Sequence, residues 1–232
     1  MTKAEFDAFA QDYSDIAARN TSFFTDDYSY FGRYRARIVR TIAGDNVGDI
    51  LDFGCGIGLG VTALREIFTE SRIVGCDPSE ESLAIARKNE PDCEFSAPDD
   101  IPPTQRFDAI TAISVFHHIP PQDRDAALRY CCDRLKPGGA LFIFEHNPYN
   151  PLTQRLVARC PLDVNAILLP PSETVARVRA AGLDNVRSQY CLFFPKALGF
   201  LRPLESSLGW LPLGGQYYVW GVRAGFKAGS GA

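Results

Sequence analysis

The stretch from Asp49 to Gly60, DILDFGCGIGLG, constrains the fold of this chain more than any other. Ile50-Leu51-Asp52-Phe53 reads as a strand, and from Gly58 to about Phe68 the apolar spacing becomes helical. Glycines stand at every second position across the junction: Gly54, Gly56, Gly58 and Gly60. Backbone without Cβ atoms at a strand-to-helix turn lets a ligand approach closely. The first helical turn then offers unpaired N–H groups to the ligand's anionic end.

The same alternation recurs downstream. Residues 72–76 (RIVGC) read as a strand, 80–88 (EESLAIARK) as a helix with Ser79 as N-cap, 107–113 (FDAITAI) as a strand and 123–135 as a helix. The turn Lys136-Pro137-Gly138-Gly139 ends that helix and leads into residues 140–144, apolar on both faces. Strands and helices in this order predict an α/β fold with a mostly parallel, doubly wound sheet covered on both sides. Residues 189–194 and 216–222 read as two strands with no helix between them, an antiparallel pair closing one edge. Upstream, residues 3–20 carry Phe6, Phe9 and Tyr13 on one helical face, and residues 31–43 form a second helix ending at Gly44. The expected domains are an N-terminal helical cap or lid, 1–44, and a ligand-binding domain, 45–232, with an apolar cap insertion at about 193–213.

Three nucleotide loops compete for the glycine stretch. No Lys follows the glycines, which removes the phosphate loop GxxxxGK[ST]. The dinucleotide pattern GxGxxG fails because Leu59 and Val61 stand where its third glycine belongs. Gly54, Gly58 and Gly60 fit the looser GxxxGxG of short-chain dehydrogenases, but no Tyr in the chain has Lys four residues later.

What remains, Asp52-Phe53-Gly54-Cys55-Gly56-Ile57-Gly58, resembles the first motif of class I S-adenosylmethionine-dependent methyltransferases of the small-molecule type. Ile73-Val74-Gly75-Cys76-Asp77-Pro78-Ser79 resembles the second motif, and Phe95-Ser96-Ala97-Pro98-Asp99 stands where the family places an acid near the adenine amino group. Residues 106–110 and 135–141 are similar to the family's fourth strand and the turn before its fifth. The resemblance covers about residues 45–145 and implies a Rossmann-like seven-stranded sheet with an antiparallel edge strand. It also implies S-adenosylmethionine as cofactor, S-adenosylhomocysteine as product, and in-line methyl transfer to an oxygen or nitrogen. Carried onto this sequence, it places Asp52, Gly54, Cys55, Gly56, Asp77, Pro78, Asp99 and Ser114 at the cofactor. Asp77 would take both ribose hydroxyls, since a carboxylate offers two acceptors to a vicinal diol. Asp52 either caps the loop or meets the cofactor's ammonium group. At Asp99 the neighbouring Asp100 stays an alternative.

The acceptor belongs at the carboxyl ends of the strands. His117 and His118 follow the fourth strand; Glu145 and His146 end the fifth. These four are the candidate catalytic residues, because imidazole takes a proton near neutral pH. The competing reading has them capping a helix or lining the cofactor pocket. Tyr13, Arg33, Tyr34, Asn147 and Tyr149 are candidate acceptor contacts, although Arg33, Arg37 and Arg40 share a helical face that could simply be solvated. Asn147-Pro148-Tyr149 lacks the second Pro of the NPPY motif and follows the wrong strand, which argues against DNA or glutamine-amide methylation.

Composition narrows the partners. A net charge of −4 supplies no basic field for nucleic acid. No run of about 18 apolar residues would span a membrane, and the first residues lack a signal-peptide pattern. Seven scattered cysteines without metal spacing predict reduced, buried thiols, a cytoplasmic location and no metal ligand set. Cys131 and Cys132 fall on a helical pattern as packing residues. The apolar stretch 193–213 reads as a cap on the sheet edge. Its alternatives are a roof for a lipid-linked or prenylated acceptor, a homodimer face, or a membrane-surface contact.

Overall fold

A computed structural model describes residues 10–225. Phe6, Phe9 and the tail after residue 225 lie outside the described residues. The seven strands are β1 (Asp49–Phe53), β2 (Arg72–Cys76), β3 (Glu94–Ser96), β4 (Phe107–Ile113), β5 (Leu135–His146), β6 (Leu183–Cys191) and β7 (Gln216–Arg223). They form one sheet in the order β3-β2-β1-β4-β5-β7-β6. The antiparallel pair expected at one edge is there: β7 runs opposite to its neighbours β5 and β6 and inserts between them.

Side chains alternate across the sheet and build two cores. Ile50, Ala109, Phe142 and Phe144 face one layer; Leu51, Ile110, Leu141 and Ile143 face the other. Helices α2 (Ser29–Ala43), α3 (Leu59–Ile67) and α4 (Glu80–Asn89) cover the first through Val39, Leu64 and Leu83. Helices α5 (Arg124–Asp133) and α7 (Pro171–Ala180) cover the second through Leu128 and Val178. Cys131 and Cys132 pack in that second core, and all seven cysteines are free thiols. A strand buried on both faces is apolar at most positions, which is why β1, β4 and β5 read as near-continuous hydrophobic runs.

Two shorter helices complete the set, α1 (Tyr13–Thr21) and α6 (Pro151–Val157). Asn150 caps α6 by accepting N–H bonds from Leu152 and Thr153. Within α2, Gly32 lies against Ala63 of α3, where a Cβ would come 2.8 Å from the Ala63 Cβ. That close crossing seats α2 beside the carboxyl ends of the central strands. The apolar stretch 193–213 forms no α-helix; residues 196–207 are 3-10 turns holding Phe200, which is 76% exposed. Among the described residues, no helix is long and apolar enough to cross a membrane.

Candidate active site

The carboxyl ends of β2, β1, β4 and β5 open into one cavity of about 730 Å³. Its lining crosses the sheet from Asp77, past Gly54 and Ser114, to His146. Those residues follow four adjacent strands, so they span three strand spacings, about 14 Å. A cavity of this size suits a drug-sized ligand or two smaller ones side by side.

At the β1–β2 end the glycine loop turns through left-handed backbone, with φ of +73° at Gly54, +51° at Gly56 and +90° at Gly58. Only glycine adopts such a run without strain. Gly54 and Cys55 both donate N–H bonds to the Cys76 carbonyl, at 2.7 and 3.0 Å, which ties the loop to β2. Asp77 completes the tie, accepting from Gly56 N at 2.9 Å and from Ser79 N at 2.9 Å. Asp77 also lines the cavity, which sets its carboxylate where a diol would meet it. A Cβ on Gly56 would meet nothing within 4 Å: the loop faces open cavity there.

Asp52 is buried beneath the loop and accepts from Thr111 Oγ1 at 2.7 Å. Burial lifts its pKa to about 7, with the Thr111 bond opposing. A Cβ on Gly60 would overlap this carboxylate, which accounts for the fourth glycine of the run. Ser114, at the end of β4, holds a positive φ of 58° and donates its N–H to Phe144 O at 2.8 Å. Such strain outside glycine concentrates at functional sites. Asp99 is exposed in the turn 98–100 and does not line the cavity, whereas its neighbour Pro98 does.

The β4–β5 end is a wall of histidines. Glu145 is fully buried; it accepts from Phe116 N at 2.8 Å and meets His117 Nδ1 at 2.5 Å. On its other side, His117 Nε2 lies 3.4 Å from Asp163 Oδ1. His118 Nε2 lies 3.5 Å from the same oxygen. Ring centroids of His118 and His146 stand 4.1 and 5.0 Å from that of His117. Burial pulls the His117 pKa down, but Glu145 and Asp163 outweigh it and hold it at about 9. Burial, with the His117 charge, drives His118 well below the usual range and His146 to about 4.

This geometry corrects several expectations. His117 is enclosed between two carboxylates, so it is no open proton acceptor. Glu145 does not line the cavity; it positions His117. Asn147 is fully buried and spends its amide on Pro212 O and Gly214 O and its carbonyl on Tyr149 N, stapling two loops. Tyr149 points outward at 53% exposure, and Tyr34 packs in the first core. Of these five, His117 lines the cavity, whereas Glu145, Asn147, Tyr149 and Tyr34 do not reach it. Tyr13, Arg33, Asp52, Cys55, Pro78, His118 and His146 do.

Residues 50–139 match the family model described as "Methyltransferase domain". The trans-aconitate 2-methyltransferase of Azoarcus sp. strain BH72 is 31% identical over 59% of this chain and 56% of its own length. The ubiquinone biosynthesis O-methyltransferase of Bradyrhizobium sp. strain ORS 278 is 34% identical over 40% of this chain and 38% of its own length. The chain thus spans about half or less of these relatives. A SAM-dependent methyltransferase from Archaeoglobus fulgidus shares the fold, with a TM-score of 0.65 at 14% identity over 84% of this chain and 94% of that one.

Residues 50–139 thus resemble a methyltransferase domain, and the chain as a whole has the Rossmann-like fold. The residues present fit S-adenosylmethionine: an acid tied into the glycine loop, an open glycine beside it, and N–H groups at the start of α3.

Two residues of this cavity escaped the sequence. Arg35 lines the cavity, its Nε and Nη2 both bonded to Gln216 Oε1 at 3.0 and 2.9 Å. The signal was available: Arg35 sits four residues after Phe31, on the apolar face of α2, opposite the Arg33–Arg37–Arg40 stripe. Asp163 had no such signal. It reaches the wall because Ile167 N donates to His117 O at 2.8 Å and Arg124 Nη2 to Ile167 O at 2.7 Å, pinning that segment under β4.

Proposed function

We propose that this protein is an S-adenosylmethionine-dependent methyltransferase that moves a methyl group to an oxygen or nitrogen of a small-molecule acceptor. The observation that carries this is one continuous cavity, with Asp77 and the open glycine loop at one end and His118 and His146 at the other. The cofactor supplies an electrophilic methyl group on a sulfonium sulfur. Asp77 holds the ribose, with Asp99 or Asp100 at the adenine rim. Asp52 meets the ammonium of the amino-acid end, and Arg35 faces it from the acceptor side of the same cavity. The protein's further task is to place the acceptor atom within about 3–3.5 Å of the methyl carbon and in line with its bond to sulfur.

Of the N-terminal cap, residues 10–44 act as a lid, with Tyr13 and Arg33 on its inner surface. The location we assign is cytoplasmic, on the strength of seven free thiols. A cofactor-binding protein without catalysis would need no room beside His118; the room there supports turnover. The test is to incubate the protein with isotope-labelled cofactor and a metabolite extract, and search by mass spectrometry for a labelled product. One small molecule gaining the labelled methyl supports the proposal. Cofactor binding with no labelled product from any extract overturns it in favour of the binding protein.

A lipid-linked acceptor is the second reading, and one feature favours it. Phe193 and Pro195 line the cavity, and the chain beyond them exposes Phe200, Leu204, Trp210 and Leu213. Trp210 alone is 75% exposed. Such a patch at a cavity mouth fits a membrane surface or a second copy of the chain. Sedimentation with anionic vesicles, lost in Phe200→Ser/Trp210→Ser, would favour the membrane; a dimer lost in the same variant would favour self-association.

A further inference from the structure

We propose that His117, His118 and Asp163 form a divalent metal site whose open position takes an oxygen of the acceptor. The oxygen's role rests on the methyltransferase reading; the site itself does not.

The ligand atoms of the three residues all lie within 4.8 Å of one another. Asp163 Oδ1 stands 3.4 Å from His117 Nε2 and 3.5 Å from His118 Nε2. Hydrogen bonds between an imidazolium and a carboxylate are shorter, about 2.7–2.9 Å. Two ligands each about 2.1 Å from a tetrahedral ion, by contrast, stand about 3.4 Å apart. Both spacings match that edge.

His117 is prepared as a ligand. Glu145 binds its Nδ1 and is itself held by Phe116 N, so ring and tautomer are fixed with Nε2 turned toward Asp163. Metal-bound histidines are held by carboxylates in this way. The Nε2 atom is buried and has no hydrogen-bond partner, a costly state without an occupant.

Charge points the same way. Glu145 and Asp163 bring two carboxylates to a wall whose side chains are at most 12% exposed. Arg124, the nearby guanidinium, spends its N–H groups on the carbonyls of Phe116, Ile119 and Ile167 and on Glu173. A divalent ion that displaces the His117 proton, leaving two neutral imidazoles, brings the two carboxylates to zero net charge. Two nitrogens and one carboxylate suit Zn²⁺, Co²⁺ or Fe²⁺ rather than Mg²⁺ or Ca²⁺. Three protein ligands leave a fourth position facing the cavity, the arrangement of catalytic rather than structural zinc.

The test uses the full chain, tag removed and stripped with a chelator. Co²⁺ is added while visible absorption is followed, then Zn²⁺ is added as competitor. The expected result is one Co²⁺ per chain with the ligand-field bands of a four- or five-coordinate ion, erased by one equivalent of Zn²⁺. Asp163→Asn should weaken binding at least tenfold, and Glu145→Gln by about 10–100-fold. Calorimetric binding of S-adenosylhomocysteine by each variant checks that it is folded. No saturable Co²⁺ binding by the wild type, or equal binding by a folded Asp163→Asn variant, overturns the proposal. If the metal binds and S-adenosylhomocysteine does not, the methyltransferase reading fails and the site stands. The reverse result removes the site alone.

Discussion

Asp52 is a carboxylate whose surroundings disfavour its charge. Burial raises its pKa to about 7 against the single bond from Thr111, so near neutral pH the empty site is only partly ionised. Its unfolded pKa is near 3.9. Between that value and about 7 the folded state holds the extra proton, so Asp52 subtracts stability as pH rises through this window and no further above it. An ammonium group reverses the balance by favouring the ionised form. Cofactor affinity should therefore rise up to about tenfold per pH unit between pH 5 and 7 and level off above. Calorimetry across that range checks this, and Asp52→Asn should flatten the slope. Asp77 is instead tied into the loop, accepting from the backbone N–H groups of Gly56 and Ser79. Asp77→Ala should weaken S-adenosylhomocysteine binding by about 2–3 kcal/mol, through an unpaired diol and an untied glycine loop. Both acids were legible because each sits at a fixed offset from a glycine turn or a strand end. Asp163 lies 45 positions beyond His118 and meets it only through tertiary packing, which no local pattern encodes.

At the scale of elements, the crossing of α2 over α3 places the lid. Gly32 has no room for a side chain against Ala63. Gly32→Leu should force the helices apart and cost about 1–3 kcal/mol of stability, read from the denaturant midpoint. It should weaken cofactor binding as well, since Gly32 and Phe31 line the same cavity. The sequence revealed β1, β2, β4 and β5 because strands buried on both faces are mostly apolar. It hid β3, whose three residues give no period, and α6 and α7. Helix α6 has only seven residues, and α7 buries a Pro, a Thr and a Val rather than an apolar stripe. The placement of β7 between β5 and β6 depends on pairs such as His146 with Gln216, which join distant segments. That pairing also delivers Gln216 to Arg35, one reason the acceptor side was harder to read than the cofactor side.

Over the whole molecule, the two ends of the cavity have different origins. The glycine-loop end is built from consecutive strand–turn–helix units inside residues 50–139, the part that matches the methyltransferase-domain model. The acceptor end draws Arg35, His146 and Asp163 from outside that span. A ligand held by both ends should stabilise the entire domain. At about 100 times its dissociation constant, S-adenosylhomocysteine should add about 2.7 kcal/mol, a Tm rise of roughly 5–10 °C for a chain this size. The most direct test of the account is calorimetric titration of the purified protein with S-adenosylhomocysteine and, separately, with NAD(P). One S-adenosylhomocysteine per chain, weakened by Asp77→Ala, with no NAD(P) binding is the predicted result. Tight NAD(P) binding with no response to S-adenosylhomocysteine would contradict it.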